Sequence, residues 1–266
     1  MQAGTREDAI TELLVTWQQP ETRAMLPVAR LSFDGESYRF NYLPAAKSIR
    51  GFRPLIGFKD VEKSYESEEL FPLFQERVLD PARDDFERVV TELDLDPASA
   101  TPWEQLVRSG GGSEGDTLQV TPLPHEDHEE WTCTALVAGL RYFQMKSVRT
   151  ELGETPVYSA DGFEAVLNSL EIGSSLVVRK EIENVYNPDA LLLFTPDGDV
   201  LGYLPDWVAR LTTAARIAGG ADPAVRVERV NTLDSGWHLR VLVSIRWDTT
   251  VGQLVTQLRS GELFSY

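Results

Sequence analysis

Aromatic and amide side chains recur in segments whose composition suits contact with a single-stranded nucleic acid. Residues 141–143 are Arg-Tyr-Phe, residues 184–187 are Asn-Val-Tyr-Asn, and a further tyrosine follows in a short apolar strand pattern. Aromatic rings stack on any base, arginine binds phosphate or stacks on a base, and asparagine can reach a sugar or a strand end. The candidate contact residues are Arg141, Tyr142, Phe143, Asn184, Tyr186, Asn187 and Tyr203.

The same residues also admit purely structural interpretations. Alternate aromatic side chains of a strand can point into the core of a barrel. Asn184 and Asn187 precede Pro188, where asparagine commonly forms turns through its own side chain. Both interpretations remain open from the residues alone.

Two other motifs resemble chemical sites but lack the required context. His125 and His128 lie among carboxylates and could bind a metal, or they could belong to a solvated acidic linker. Residues 111–115, Gly-Gly-Ser-Glu-Gly, match the Gly-x-Ser-x-Gly pattern, but a nucleophile elbow needs a strand before it and a helix after it. Here the predicted order is the reverse. We therefore expect no enzyme activity, no metal and no cofactor.

Residues 179–218 must position the second group of candidate residues. Residues 190–194 and 200–204 predict two strands joined by Thr-Pro-Asp-Gly, and Gly202 predicts a close approach of another backbone. Pro205 and Asp206 suit the first turn of a helix that Gly219 and Gly220 end. The segment therefore predicts a strand, a hairpin turn, a second strand and a helix.

The landmarks of this region resemble the HIRAN domain family. The resemblance rests on residues 184–190, Asn-Val-Tyr-Asn-Pro-Asp-Ala, on Gly198, Gly202, Tyr203 and Ala209, and on residues 139–143 as an opening strand. It covers about residues 131–247 and implies a small β-barrel of the OB or SH3-like type that binds single-stranded DNA near a 3′ end. Asn187 stands where the family has Asp, and Tyr203 where it has His, so position 187 lacks the carboxylate that could accept a 3′ hydroxyl.

The preceding half of the chain has its own strand and helix patterns. Residues 29–33 and 38–42 alternate around Asp34-Gly35 and predict a hairpin, while residues 8–17 and 86–93 predict helices. Thr101-Pro-Trp-Glu104 predicts a capping box at the start of another helix. Residues 28–124 resemble, in layout, the N-terminal subdomain of HipA-type toxin kinases, which caps a kinase lobe that this chain lacks.

These patterns together predict an α+β protein of two domains. The first is a mixed α/β cap-like domain at residues 1–121, and the second is a small β-barrel with helices at residues 131–248. An acidic linker at residues 122–130 separates them, and residues 249–266 form a C-terminal helix that docks on the barrel or offers a face to a partner. The single Cys133 excludes an internal disulfide and is expected to be buried.

The charge distribution bears on the choice of partner. The chain has a net charge of −17, and residues 131–266 hold 12 Lys and Arg against 16 Asp and Glu, which leaves 13 against 26 in the other half. Phosphate neutralisation supplies most nucleic-acid affinity, so any DNA contact must be local. We predict a non-enzymatic binder of single-stranded DNA or DNA ends. The alternative is an antitoxin-like regulatory module whose acidic N-terminal domain binds a kinase or nuclease.

The sequence also predicts where the protein resides. It contains no apolar run of about 18 residues, and its N-terminus lacks the basic start and apolar core of a signal peptide. We therefore expect a cytoplasmic protein with no membrane partner.

Overall fold

The computed structural model describes residues 12–22, 24–111, 117–185 and 187–264. Over these residues the chain is a mixed α/β protein in which 14 strands form three sheets and six α-helices pack against them. The strands are β1 (Glu12–Gln18), β2 (Met25–Phe33), β3 (Tyr38–Tyr42), β4 (Tyr65–Ser67), β5 (Leu118–Pro122), β6 (His125–Asp127), β7 (Glu130–Leu136), β8 (Arg149–Thr150), β9 (Gly153–Glu154), β10 (Ser175–Lys180), β11 (Leu191–Phe194), β12 (Val200–Tyr203), β13 (Ala224–Val230) and β14 (Val241–Trp247). The helices are α1 (Pro72–Gln75), α2 (Phe86–Glu92), α3 (Pro102–Ser109), α4 (Ala160–Asn168), α5 (Asp206–Ile217) and α6 (Gly252–Ser260).

The first sheet has five antiparallel strands in the order β4-β3-β2-β1-β5. Its β2–β3 hairpin is the predicted one, because Phe33 pairs with Tyr38 and the Asp34 Oδ1 atom accepts the Ser37 backbone N–H at 2.8 Å. Gly35 occupies the turn with φ of 94°, a conformation that glycine adopts without steric cost. Asp34-Gly35 therefore acts as the predicted turn.

The helix predicted at residues 8–17 is wrong for its described part, which is strand β1 from Glu12 onward. Leu13 and Val15 face the core of the five-stranded sheet, whereas Leu14 belongs to the core of the second half of the chain. Both faces of this strand are buried, so its sequence shows no alternation of apolar and polar residues. Residues 8–11 lie outside the described residues.

The predicted capping box at the start of α3 is confirmed. The Thr101 backbone N–H donates to Glu104 Oε2 at 2.7 Å, and the Glu104 backbone N–H donates to Thr101 Oγ1 at 3.2 Å. These two bonds satisfy N–H groups that a helix start otherwise leaves without partners. The helix ends at Gly110, which is left-handed with φ of 69°.

The second sheet has seven strands in the order β12-β11-β10-β13-β14-β7-β6. Apart from the opening strand predicted at residues 139–143, the predicted strands of this half, the helix α5 and the terminal helix α6 are present. The sheet is not the continuous closed barrel that the resemblance implied. Instead, the edge strand β12 forms one antiparallel bridge, from Tyr203 to Ala138, with the segment just after β7, which is the neighbour of the opposite edge strand β6.

The segment predicted as an acidic linker at residues 122–130 is an ordered hairpin in its second part. His125 pairs with Thr132 and Asp127 with Glu130, so β6 forms one edge of the seven-stranded sheet. His128 and Glu129 make the tight turn with φ of 47° and 66°. Acidic composition here reflects an exposed edge hairpin, where charged residues discourage pairing with other chains.

The two halves of the chain share packing contacts. Leu14, Leu43 and Leu123 belong to the same buried cluster as the second sheet. In α6, Val255 and Leu258 are fully buried in that cluster, so this helix docks on its own chain. None of the helices in the described residues is long and apolar enough to cross a bilayer.

Candidate nucleic-acid interface

The segment at residues 139–143 is a 3-10 helix rather than the predicted opening strand. The 3-10 helix spans Leu140–Gln144, and Gly139 before it is left-handed with φ of 67°. The Tyr142 N–H donates to the Gly139 carbonyl at 2.9 Å, which turns the chain directly after the bridge to Tyr203. A left-handed glycine cannot continue a strand, so the strand ends before the aromatic residues.

Three of the candidate aromatic residues form one cluster. The Phe143 and Tyr203 ring centroids are 5.6 Å apart, and the Tyr142 ring lies 5.7 Å from Phe143 and 6.2 Å from Tyr203. Phe143 is fully buried, whereas Tyr142 and Tyr203 are half-buried. The structural interpretation therefore holds for Phe143, which supports the two tyrosines from the core side. Of these three residues, only Tyr142 and Tyr203 are partly exposed.

Positive charge accompanies the cluster. Arg141 and Lys146 are exposed, and the Lys146 ammonium lies 4.7 Å from the centre of the Tyr142 ring. Residues 131–150 contain three basic side chains and no carboxylate, in a chain whose net charge is −17. Arg149 of this segment is paired with Glu183 at 3.0 Å. Arg141 and Lys146 are therefore the basic side chains that a phosphate group at this surface would meet.

The loop at residues 181–190 brings both candidate asparagines to the cluster. The Asn184 Nδ2 atom donates to Glu181 Oε2 at 2.7 Å, and its Oδ1 accepts the Asn187 backbone N–H at 2.8 Å. The Asn187 Oδ1 atom accepts the Asp189 N–H at 2.9 Å. These are the turn bonds that the alternative interpretation of the asparagines predicts, and they fix the shape of the loop. Tyr186 lies outside the described residues.

Asp206 supplies a carboxylate beside Asn187. Asn187 Nδ2 donates to Asp206 Oδ1 at 2.5 Å, and Arg210 Nε donates to Asp206 Oδ2 at 3.1 Å. Burial raises the pKa of Asp206, and the charge of Asp189 adds to that effect, while Arg210 acts against it. The sequence suits Asp206 to the first turn of a helix, but nothing in its spacing shows that α5 begins next to the loop.

Glu181 is a second carboxylate that the sequence interpretation missed. It is 8% exposed and accepts a hydrogen bond from Asn184 Nδ2 at 2.7 Å. Burial of Tyr203, together with the negative charge of nearby Glu181, raises the pKa of Tyr203. Tyr203 therefore stays a neutral phenol.

The other motifs do not add ligands to this site. In the part of the chain that the structure describes, no three His, Cys, Asp or Glu side chains form a group able to hold a metal. His125 lies in β6 and His128 in the turn that follows it. Ser113 of the Gly-x-Ser-x-Gly match lies outside the described residues.

Comparisons with known proteins identify no family for the chain. No family model matches it, and no curated protein matches it. Among solved structures, a Lactobacillus plantarum protein aligns with 17% identity and a TM-score of 0.31, over 44% of this chain and 98% of that one. The HIRAN domain of human HLTF aligns with 12% identity and a TM-score of 0.32, over 48% of this chain and 85% of that domain. The resemblance to HIRAN domains thus rests on the residues of the loop and strands described above.

Proposed function

We propose that this protein is a non-enzymatic binder of single-stranded DNA or DNA ends, and that it binds through the surface around Tyr142 and Tyr203. The observation that carries the proposal is the convergence of these two rings, Arg141 and the loop of Asn184 and Asn187 at one place. They come from three separated segments of the sequence. The HIRAN-like order of the residues supports the same ligand.

Each group has a distinct contribution to such a complex. The half-buried rings of Tyr142 and Tyr203 offer faces for bases, and base stacking on an aromatic side chain is worth about 1–3 kcal/mol. Arg141 and Lys146 are free of carboxylates within their own segment and suit two phosphates. Asp206, which lies against Asn187, could accept a hydroxyl proton at a strand end in place of the carboxylate that position 187 lacks.

The acidic remainder of the chain limits the strength and type of binding. Net charge of −17 repels a long polyanion, so a short single strand or a strand end is favoured over a duplex. We expect weak to moderate affinity that falls as salt rises.

Fluorescence anisotropy with labelled oligonucleotides tests the proposal. The set comprises a short single strand with a free 3′ end, the same strand with a blocked 3′ end, and a duplex, each at several salt concentrations. Preferential binding of the single strand, weakened by Arg141→Ala combined with Tyr186→Ala, supports the proposal. Absence of binding at low salt, or equal binding of the duplex, would refute it.

A second hypothesis is a regulatory, antitoxin-like contact with a basic protein. Two adjoining clefts beside the edge strand β4 share Glu68, and their lining contains many more acidic than basic side chains. The lining includes Glu36, Glu66, Glu68, Glu69, Glu76 and the single basic residue Arg39. Co-purification of a basic partner that is lost in Glu68→Lys/Glu69→Lys supports this role, and a partner retained by that variant excludes this surface.

A further inference from the structure

Glu181 lies at the start of the loop that carries the candidate asparagines, directly after β10. Its backbone N–H donates to the Ala190 carbonyl at 3.0 Å, which closes the base of the loop. Glu181 also forms an antiparallel bridge with Thr150, and the next residue, Ile182, donates to the Arg149 carbonyl at 3.0 Å. The main chain at Glu181 is therefore held from two sides.

The carboxylate of Glu181 is bound by one of the residues proposed to contact DNA. Asn184 Nδ2 donates to Glu181 Oε2 at 2.7 Å. The donor is a neutral amide, and Glu181 is 8% exposed. A buried carboxylate that accepts such a bond imposes a direction on its donor, since an unmet acceptor would be costly.

The orientation set at Glu181 extends through the loop to helix α5. Because the Asn184 amide nitrogen faces Glu181, its oxygen is available to accept the Asn187 backbone N–H at 2.8 Å. Asn187 in turn donates through Nδ2 to Asp206 at 2.5 Å.

We infer that Glu181 is a positioning residue of the proposed DNA site: it orients Asn184, and through Asn184 it fixes Asn187. The identity of the ligand rests on the proposed function, but the orientation of Asn184 is a property of the free protein. Glu181 touches no nucleic acid in this role. Its carboxylate acts through the Asn184 side chain that donates to it.

Glu181→Gln tests the inference, because it keeps the size of the side chain and replaces one acceptor oxygen by a donor. Oligonucleotide affinity is expected to fall about tenfold, the scale of one charge-assisted hydrogen bond. In an Asn184→Ala background the same substitution should have no further effect, since its intermediary is gone. The control is Glu183→Gln, an exposed position on the same loop that pairs with Arg149; affinity should not fall there.

Nuclear magnetic resonance of the free protein separates the inference from the proposed function. Glu181→Gln should move the Asn184 side-chain NH₂ and Asn187 backbone N–H resonances, whereas Glu183→Gln should leave them in place. If Glu181→Gln does not fold, Asn184→Asp breaks the same contact from a half-buried position by opposing two carboxylates. A wild-type protein that binds no oligonucleotide refutes the proposed function, and the resonances then decide the orientation role alone. Unmoved resonances, or an undiminished affinity loss in the Asn184→Ala background, would overturn the inference.

Discussion

Ala138 and Tyr203 exchange two backbone hydrogen bonds, of 2.9 and 2.8 Å, which join the segment after β7 to the edge strand β12 of the seven-stranded sheet. This bridge lies immediately before the 3-10 helix that carries Arg141, Tyr142 and Phe143. It therefore joins the two segments that supply the aromatic cluster. The neighbouring Gly202 has a Cα hydrogen pointing at the Ala138 carbonyl, and an added Cβ would lie 2.5 Å from that oxygen.

Gly202→Ala should open this bridge. The new methyl group would also lie 2.6 Å from Val137 Cγ1, so backbone and side chain would both have to move. Overpacking of this kind costs about 1–3 kcal/mol of unfolding free energy, measured by urea denaturation. Gly252→Ala is the matched control: its Cβ would make ordinary contacts of 3.4 Å with Trp131 in the first turn of α6, and stability should not fall. Equal stability of the two variants would show that the bridge is not constrained by Gly202.

Arg141→Ala and Lys146→Ala should each reduce the salt dependence of oligonucleotide binding. If each side chain contacts one phosphate, the slope of log affinity against log salt becomes shallower by about 0.7 per substitution. The measurement is anisotropy titration over a range of salt concentrations. Arg50→Ala, an exposed arginine in the other half of the chain, is the control and should leave the slope unchanged. An effect of the control as large as that of the two variants would indicate non-specific attraction.

The contribution of Asp206 to the free energy of unfolding should decrease as pH rises. Its pKa is raised in the folded protein, chiefly by burial, above the ordinary value of 3.8, so the folded state binds the proton more tightly than the unfolded state. The unfolding free energy of the wild type minus that of Asp206→Asn should therefore decrease from about pH 3.8 upward until the raised pKa is passed. The pKa of Asp85 is lowered by Arg83, so the corresponding difference for Asp85→Asn should increase as pH rises toward 3.8. A rising difference for Asp206 would mean that Arg210 outweighs burial.

Glu164→Gln should strongly destabilise the fold. Arg240 is 1% exposed and donates to both Glu164 oxygens at 2.7 Å, with its Nε bound to the Asn231 carbonyl at 3.0 Å. Removal of one charge leaves a buried guanidinium without its counter-ion, which costs about 3–5 kcal/mol. Glu130→Gln, which removes the half-exposed partner of Arg246, should change the unfolding free energy by less than about 1 kcal/mol. Thermal or urea denaturation compares the two, and similar losses would contradict the expectation.

Asn231→Ala tests whether the two halves of the chain unfold together. The Asn231 Nδ2 atom donates to the Glu92 carbonyl of α2 at 2.7 Å and to the Leu239 carbonyl at 2.6 Å, and its Oδ1 accepts from Arg229 at 2.8 Å. Loss of these buried bonds should cost about 1–3 kcal/mol. If the halves are separate domains, the variant should also split one denaturation transition into two, as seen by calorimetry.

The control for this experiment is Thr232→Ala, whose side chain is exposed at the next position. It should leave both the midpoint and the number of transitions unchanged. A single transition in Asn231→Ala, merely shifted to lower temperature, would show that the halves behave as one cooperative unit and would contradict the predicted two-domain organisation.

Local chemistry in the sequence was sufficient to predict the elements whose cause is local. The Asp34-Gly35 hairpin, the Thr101 capping box and helix α5 all follow from residues within a few positions of one another. Gly202 was likewise predicted to be a point of close approach. A glycine weakens the interior of a strand and often marks a position where another backbone comes near. Each of these features is decided by backbone conformation and short-range hydrogen bonds.

Tertiary structure decided the features whose cause lies in distant partners. The sequence of strand β1 predicts a helix because Leu13 and Leu14 are both apolar. They face two different cores, and only the packing of both halves reveals this. Glu181 and Asp206 became parts of the candidate site because the register of the sheet and the start of α5 bring them to Asn184 and Asn187. A sequence specifies which groups can donate or accept a hydrogen bond, but the long-range pairing of strands determines which of them meet.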